Sequence, residues 1–237
     1  MADPAAIVGQ GPALVLAPHP DDESLGCGSL LAACWRQGIP IHVAFLTDGA
    51  ASHRRSRLWP RRRLAFVRRK EATRAIRALG GDPGRDATFL DFPDAGLHLV
   101  AAGLLERAID GLVDGSEIRT LIAPSPFDAH CDHKAAFDVA EAQLRKRPGM
   151  RLITYPIWSR WLAQDINVPG PRGAVRRRFD DSESRTRKHR AILAHESQCG
   201  RVVLDDPTGF VLPPGFVEMF VNNAEIFDMR REQIVAH

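Results

Sequence analysis

The sequence lacks the features typical of membrane-spanning and secreted proteins. No apolar run approaches the roughly 18 residues that a membrane-spanning helix needs, and the first residues lack the basic and apolar segments of a secretion signal. The four cysteines form no CxxC pair, so free thiols in a reducing compartment are expected. We therefore expect a cytoplasmic protein without a transmembrane segment.

Net charge is also small. A formal charge of +3 does not by itself require a polyanionic partner, and no nucleic acid is expected. The arginines are nevertheless concentrated between Arg54 and Arg69 and again between Arg172 and Arg190. Such stretches usually form solvated helix faces or loops, but they could also meet a phosphate group, an anionic lipid surface or an acidic sugar.

The chain has the composition of a globular protein. Of its 237 residues 44% are hydrophobic and 26% are charged, which allows a sizeable core. Short apolar runs alternate with segments of helical periodicity, and polar loops separate them. This order predicts an α/β fold with a mostly parallel central sheet covered by helices on both faces. We expect one domain over residues 1–237.

Hydrophobic periodicity predicts where the elements lie. The expected elements are strand 13–17, helix 24–37, strand 39–46, helix 64–79, strand 88–90, helix 100–113, strand 118–123, helix 134–145, strand 151–156 and helix 184–195. Residues 216–221 alternate in the manner of a strand and are expected at the edge of the sheet, followed by a short element at 224–231.

Two polar loops follow predicted strands. The first is Pro18-His19-Pro20-Asp21-Asp22-Glu23, and the second contains Asp128 and His130-Cys131-Asp132-His133. The carboxyl ends of parallel strands meet at one edge of a sheet, where open α/β folds build their sites. The two loops are therefore expected to form one site.

The residue types in these loops predict a hydrolytic zinc site. Such sites typically have three nitrogen or oxygen ligands and one position open to water. His19 and Asp22, three residues apart, can turn toward one point, and His133 would complete the set. Asp21 neighbours a ligand and is the candidate general base.

The remaining polar residues have expected supporting roles. His130 would polarise a carbonyl oxygen or protonate a leaving nitrogen, with Asp132 holding its ring. For Cys131 a packed thiol is favoured over a metal ligand, because alternating side-chain directions would aim it away from the metal. Glu23 is expected to accept backbone N–H groups at the start of the following helix, and Asp48 is open to the same interpretation.

The two motifs resemble those of the PIG-L/LmbE family of zinc-dependent N-acetylglucosaminyl deacetylases. The string from Pro18 to Glu23 looks like the first motif of that family. The second loop looks like its HxDH element, with Asp128 completing a DxHxDH form. Weaker similarities lie at 47–49, 68–71, 92–94 and 188–198, so the resemblance extends over most of the chain.

The resemblance implies a fold, a cofactor and roles for named residues. It implies a Rossmann-like three-layer sandwich and a Zn²⁺ ion. The implied ligands are His19, Asp22 and His133, with Asp21 as the base and His130 and Asp132 stabilising a tetrahedral intermediate. It further implies that Arg68 and Asp94 hold substrate hydroxyl groups, while His195 is a weaker site candidate.

Our leading hypothesis is a zinc-dependent hydrolase. It would remove an acyl group, with acetyl the expected one, from the amide nitrogen of an N-acylated amino-sugar molecule or glycoconjugate. The alternative is a metal-containing binding or regulatory module that holds an anionic partner through the stretch from Arg54 to Arg69. A third hypothesis is a cysteine hydrolase built on Cys131 or Cys27. The acylated substrate, the acyl chain length and a possible homo-oligomer stay open.

Overall fold

The computed structural model of the chain describes residues 3–9 and 11–230 and contains one central sheet. Within that range the strands are β1 (Ala13–Ala17), β2 (Ile41–Thr47), β3 (Ala87–Phe92), β4 (Thr120–Pro124), β5 (Arg151–Tyr155), β6 (Ala174–Phe179) and β7 (Glu225–Arg230). The helices are α1 (Ala5–Val8), α2 (Asp22–Arg36), α3 (Arg61–Leu79), α4 (Ala102–Gly115), α5 (Cys131–Lys146), α6 (Trp158–Leu162), α7 (Ser182–Leu193) and α8 (Phe216–Asn222). A 3₁₀ turn occupies Leu97–Leu99.

The strand order in the sheet is β3-β2-β1-β4-β5-β7-β6. The first five strands pair in parallel, whereas β7 runs antiparallel to both β5 and β6. The predicted mostly parallel sheet is therefore confirmed, and its antiparallel part is confined to the last two strands along the chain.

Strand β1 shows why the sheet is covered on both faces. Ala13, Val15 and Ala17 pack in one hydrophobic core, with residues of α2, α3, α7 and α8. Leu14 and Leu16, which alternate with them, pack in a second core with residues of α4 and α5. Successive strand side chains point to opposite faces, so a fully apolar strand requires a layer of helices on each side. The predicted three-layer α/β fold is confirmed.

The sheet reverses its order beside β1. Strand β1 pairs with β2 on one side and with β4 on the other, and the helices that follow β1 and β4 contribute to opposite cores. The loops after these two strands consequently diverge and leave a crevice between them. In open α/β sheets such a switch point is where ligands bind.

The prediction of a strand at residues 216–221 was wrong. These residues form α8, preceded by Gly215 with a φ of +79°. Phe216 and Phe220, one helical turn apart, stack with ring centroids 4.8 Å apart and are both buried. The apolar residues of this segment satisfy a helical spacing as well as an alternating one, and packing against the core selects the helix.

The edge strand β6 was not predicted. Its sequence Ala174–Phe179 contains three successive arginines, which resemble a solvated segment, and its only partner in the described sheet is β7. The short element expected at 224–231 is β7, and residue 231 lies outside the described residues, as do 1–2, 10 and 232–237 of the predicted domain. No helix in the described part of the chain is long and apolar enough to cross a membrane.

Candidate metal centre and active site

The loop after β1 brings its polar residues together through local hydrogen bonds. The backbone N–H of His19 donates to Asp22 Oδ2 over 2.9 Å, which closes the turn in front of α2. Asp21 lies within this turn with a φ of 142°, a backbone region that side-chain-bearing residues rarely adopt. The loop therefore holds Asp21 and Asp22, consecutive in sequence, in a strained and specific arrangement.

The Asp22 carboxylate lies between two imidazole rings. Its Oδ2 atom is 3.1 Å from His19 Nδ1 and 3.3 Å from His133 Nε2. His133 reaches this point from the first turn of α5, after β4. The structure thus brings together His19, Asp22 and His133, as the sequence analysis expected, across the crevice at the switch point.

The far side of the His133 ring is fixed by Asp128. His133 Nδ1 lies 2.9 Å from Asp128 Oδ2, and both side chains are fully buried. The Asp128 carboxylate also accepts hydrogen bonds from the backbone N–H groups of Ile157 and Ser159 and from the Ser159 hydroxyl. The Asp128 carboxylate therefore accepts the ring hydrogen on Nδ1, and Nε2 is the nitrogen that faces Asp22.

The donor set fits a divalent cation. His133 Nε2 is buried and has no hydrogen-bond partner, although Asp22 Oδ2 is 3.3 Å away. A ring nitrogen this close to a carboxylate oxygen is stabilised by a positive charge between them, which is a proton in the metal-free protein and can be a metal ion instead. Nitrogen and oxygen ligands at about 2.0–2.1 Å from a tetrahedral zinc ion lie about 3.4 Å apart, close to the observed separations. The Asp128–His133 pair is the carboxylate–histidine arrangement common behind metal ligands.

His130 is a further nitrogen donor near the same point. Nitrogen atoms of His19, His130 and His133 all lie within 4.8 Å of one another. His130 caps α5, and its Nδ1 atom accepts the backbone N–H of Asp132 over 3.2 Å. The hydrogen of a neutral His130 ring is consequently on Nε2. Burial, together with the charges of His19 and His133, lowers the pKa of His130 to about 4.

Asp132 does not hold the His130 ring through its carboxylate, which corrects that part of the sequence-based expectation. Its Oδ2 accepts the backbone N–H of Ala95 over 2.7 Å and lies 3.1 Å from His19 Nε2. Its Oδ1 accepts the backbone N–H of Leu97 over 3.0 Å. Asp132 therefore orients His19 and anchors the loop after β3, and it reaches His130 through its own backbone N–H.

Arg68 lines the crevice, and both of its terminal nitrogens donate to the protein. It is only 2% exposed, and it donates from Nη1 to Gly49 O (2.7 Å) and from Nη2 to Pro20 O (2.5 Å). Its Nη2 also lies 3.2 Å from Asp21 Oδ2. A Cβ atom on Gly49 would come within 2.7 Å of the guanidinium, so this glycine permits the close approach. The geometry makes Arg68 chiefly a support for Asp21 and its loop.

Asp94 faces the same crevice from the loop after β3. Its Oδ1 is 3.3 Å from His19 Nε2, and its Oδ2 accepts the backbone N–H of Ala51. Its own N–H donates to Asp48, so Asp48 acts as a loop anchor. Burial would raise the pKa of Asp94, but the contacts to His19 outweigh it and hold that pKa far below its usual value.

A second layer of buried residues lies behind Asp21. Glu23 accepts the backbone N–H of Asp21 over 3.0 Å and is 3.1 Å from His195 Nε2. Nearby, Glu71 accepts both the N–H and the hydroxyl of Ser197. Sequence reasoning treated Glu23 as a supporting residue and His195 as a weak candidate. The sequence signal that could have paired Glu23 with His195 is the combination of an acidic residue in the first turn of α2 and a histidine far along the chain.

The crevice forms a cavity of about 270 Å³ next to these residues. Its polar side is lined by His19, Asp21, Asp22, Asp94, His130, Ser52, Arg54, Arg68 and Gln198. Its apolar side is lined by Leu25, Ile157, Trp158, Phe210 and Leu212. The volume is just below the roughly 300–1,000 Å³ of small-molecule sites, which suits a compact ligand with one apolar part.

Known proteins are similar to this chain in sequence and in fold. The family model described as PIG-L: GlcNAc-PI de-N-acetylase matches residues 14–144, more than half of the chain. The 2'-N-acetylparomamine deacetylase of Streptomyces fradiae is 32% identical over 142 residues, which are 52% of this chain and 49% of that protein. The match therefore spans about half the length of that relative.

Two further relatives cover more of the chain. A probable N-acetyl-alpha-D-glucosaminyl L-malate deacetylase 2 of Bacillus anthracis is 28% identical over 193 residues, 78% of this chain and 80% of that protein. The crystal structure of a deacetylase from the teicoplanin biosynthesis pathway has a TM-score of 0.70 at 17% identity, covering 92% of this chain and 97% of that one. At this identity the structural match shows the fold alone.

Proposed function

The chain belongs to the PIG-L family, and we propose that it is a zinc-dependent hydrolase that removes an acetyl group from the nitrogen of an N-acetylated amino sugar. The family description and the names of the relatives support deacetylation of such substrates. The observation that carries the proposal is the arrangement of Asp22 between His19 and His133, with Asp21 beside it.

The proposed ligands are His19, Asp22 and His133. A zinc ion held by them would supply Lewis acidity, which polarises a carbonyl group and lowers the pKa of a water molecule. The support for this assignment is the buried and unpartnered His133 Nε2 atom. Asp128 behind His133 and Asp132 behind His19 would keep both rings in the orientation that a ligand needs.

Asp21 is the proposed general base. Burial and the neighbouring Asp22 raise the pKa of Asp21 to about 6, although the Arg68 guanidinium opposes the shift. A carboxylate with a pKa near neutrality is a more effective proton acceptor at neutral pH than an ordinary aspartate. Asp21 would take the proton of the attacking water and then deliver it to the departing amine nitrogen.

His130 is the proposed electrophilic residue. Its Nδ1 accepts a backbone N–H, and its lowered pKa keeps the ring neutral at neutral pH. The ring then donates its Nε2 hydrogen to the carbonyl oxygen as negative charge develops there. Of the two roles considered for His130, polarising the carbonyl therefore has more support than protonating the leaving nitrogen.

The residues that line the cavity indicate which class of substrate can bind. Asp94 lines it beside His19 with an ionised carboxylate that can accept hydrogen bonds from sugar hydroxyl groups. The apolar side formed by Trp158, Phe210 and Leu212 suits the face of a sugar ring or an apolar substituent. We infer a monosaccharide unit, carried on a small molecule or a glycoconjugate, as the part that enters.

The alternative of an anionic partner held between Arg54 and Arg69 has weaker support. Arg68 is buried against Asp21, and Arg61 and Arg69 are paired with Asp48 and Asp91. These three arginines therefore do not form one continuous basic surface. Tight binding of a polyanion that weakens steeply with salt, without any hydrolysis, would favour this alternative.

The test is acetate release from a panel of N-acetylglucosamine conjugates by zinc-loaded protein. We expect turnover that a chelator abolishes and added zinc restores. Asp21→Asn should retain zinc while losing about 10²–10⁴ of the rate, the usual contribution of a general base, whereas His19→Ala should lose the zinc itself. Turnover on none of the acylated amines would refute the deacetylase proposal, and activity that survives chelation would reopen the cysteine hydrolase.

A further inference from the structure

A second group of metal-ligating side chains lies on the opposite side of Asp132 from His19. Cys131 Sγ is 3.6 Å from Asp132 Oδ1, and His98 Nδ1 is 3.9 Å from the same oxygen. Ligand atoms of these three residues all lie within 4.8 Å of one another. The proposed mechanism uses neither Cys131 nor His98, so this cluster shares only Asp132 with the centre already described.

Each carboxylate oxygen of Asp132 faces a different one of the two clusters. Oδ2 faces His19, whereas Oδ1 faces Cys131 and His98. Oδ1 also accepts the N–H of Leu97, which holds the 3₁₀ turn carrying His98 beside the first residue of α5. An oxygen with two lone pairs that accepts one N–H can still contribute one pair to a cation.

The donor types and separations fit a tetrahedral zinc ion. Thiolate, imidazole and carboxylate are its usual protein ligands, at about 2.3, 2.0–2.1 and 2.0–2.2 Å. Tetrahedral angles at those lengths separate sulfur from oxygen by about 3.6 Å and nitrogen from oxygen by about 3.4 Å. The expected sulfur–oxygen separation equals the observed 3.6 Å between Cys131 Sγ and Asp132 Oδ1. A small movement of His98 would shorten the observed nitrogen–oxygen distance of 3.9 Å to the expected one.

Two members of the cluster are accessible from solvent, whereas the third, Asp132, is fully buried. The His98 side chain is 42% exposed, Cys131 is half-buried, and both line a cavity of about 480 Å³ between the 3₁₀ turn and α5. An ion could therefore enter without passing the first centre, and solvent could supply a fourth ligand.

We propose that His98, Cys131 and Asp132 form a second cation site for a thiophilic divalent ion such as Zn²⁺ or Cd²⁺. Cys131 binds as the thiolate, and its proton is released to solvent on binding. The site differs from the first centre in containing sulfur, so ions that prefer sulfur ligands are expected to bind here most strongly.

Occupation of this site is expected to inhibit catalysis, a consequence that rests on the proposed function. An ion on Oδ1 withdraws negative charge from the carboxylate whose Oδ2 orients His19. Oδ1 also accepts the Leu97 N–H that anchors the loop after β3, so a bound ion weakens that hydrogen bond by drawing electron density from this oxygen. Excess zinc should therefore lower the rate of the enzyme that one zinc ion activates.

Cobalt titration tests the second site without reference to activity. A thiolate bound to Co²⁺ produces an intense ligand-to-metal charge-transfer band in the near ultraviolet, which nitrogen and oxygen ligands do not. We expect this band when Co²⁺ is added to the full chain beyond the first equivalent. Cys131→Ser should abolish it, His98→Asn should weaken cobalt binding at least tenfold, and Cys199→Ser, at another partly exposed thiol, should leave it unchanged.

The outcomes separate the site from the proposed reaction. Absence of the band in the parent protein, or its persistence in Cys131→Ser with an unchanged circular dichroism spectrum, would overturn the second site. If the protein proves to be a deacetylase, the parent should be inhibited by excess zinc and Cys131→Ser should resist it. A band that depends on Cys131 in a protein without deacetylase activity would support the site and refute only the reaction.

Discussion

His195 Nε2 lies 3.1 Å from Glu23 Oε1, and neither side chain has measurable exposure to solvent. The other Glu23 oxygen accepts the backbone N–H of Asp21, the residue with a φ of 142°. A strained conformation persists only where its surroundings fix it. The Glu23–His195 pair is thus in a position to hold the proposed base in its unusual backbone conformation.

We predict that Glu23→Gln lowers kcat by about 10–100-fold, the range seen for residues that orient a metal site or its neighbours. KM and zinc content should change little, because the substituted amide keeps the shape of the side chain and touches neither substrate nor metal. Steady-state kinetics and metal analysis measure these quantities. Ser24→Ala, which removes only the Ser24 hydroxyl bond to Glu23, is the control, and full kcat in Glu23→Gln would refute the positioning role.

Asp128→Asn is predicted to weaken zinc binding by about 10–100-fold. A neutral amide accepts the Nδ1 hydrogen of His133 more weakly than a carboxylate, and its NH2 group would face either that hydrogen or the N–H donors of Ile157 and Ser159, so the ring is held less firmly and is less basic. Ser159→Ala is the matched control, because it removes one bond to Asp128 Oδ1 and leaves the Oδ2 contact with His133 intact. Competition with a chromophoric chelator gives the affinities, and equal affinities in both variants would contradict the assignment.

The metal-free protein is predicted to lose stability between about pH 6.5 and pH 9. Burial would lower the pKa of His133, but the charges of Asp22 and Asp128 raise it to about 9, above the value of about 6.5 in an unfolded chain. A histidine whose pKa is higher in the folded state stabilises that state fully when the pH is below the pKa of the unfolded chain. This contribution is lost as the pH rises through the pKa of the folded state. One such group contributes on the order of 3 kcal/mol.

Urea unfolding in the presence of a chelator, repeated across this pH range, tests that prediction. His133→Asn should flatten the dependence, since it removes the titrating ring. Zinc affinity should rise over the same window, because the ion and the proton compete for one nitrogen. A parent protein whose metal-free stability is constant from pH 6.5 to pH 9 would exclude the predicted shift.

Lys188→Met is predicted to destabilise the fold by about 3–5 kcal/mol, the cost of leaving a buried charge unpaired. Lys188 Nζ is 2.8 Å from Glu225 Oε1, and both side chains are 1% exposed. Adding Glu225→Gln to Lys188→Met should recover part of the loss, because the uncompensated charge disappears. Denaturant unfolding measures each free energy; a double variant less stable than the single one would show that the Glu225 bonds to Ser29 and Leu30 dominate.

Local pattern was sufficient for most of the elements. The apolar strands and the amphipathic helices between them are specified by neighbours along the chain, so α2, α3, α5 and α7 lie close to their predicted positions. The local pattern did not predict α8, where Phe216 and Phe220 fit both a helical and an alternating periodicity. It also did not predict β6, whose arginines resemble a solvated segment. In both cases the choice depends on contacts with β7 or the core that no local pattern contains.

Local sequence was enough to predict a metal site at the carboxyl edge of the sheet. His19 and Asp22 are three residues apart after one predicted strand and His133 follows another, and the pairing of β1 with β4 in the structure makes these two loops neighbours. The partners of the residues around these three side chains depend on the folded arrangement of the chain. That arrangement directs Asp132 to His19 and the loop after β3, commits Arg68 to Asp21, and places Asp128 behind His133. Hydrogen-bond partners are set by distances between residues far apart in sequence, and those distances exist only after folding.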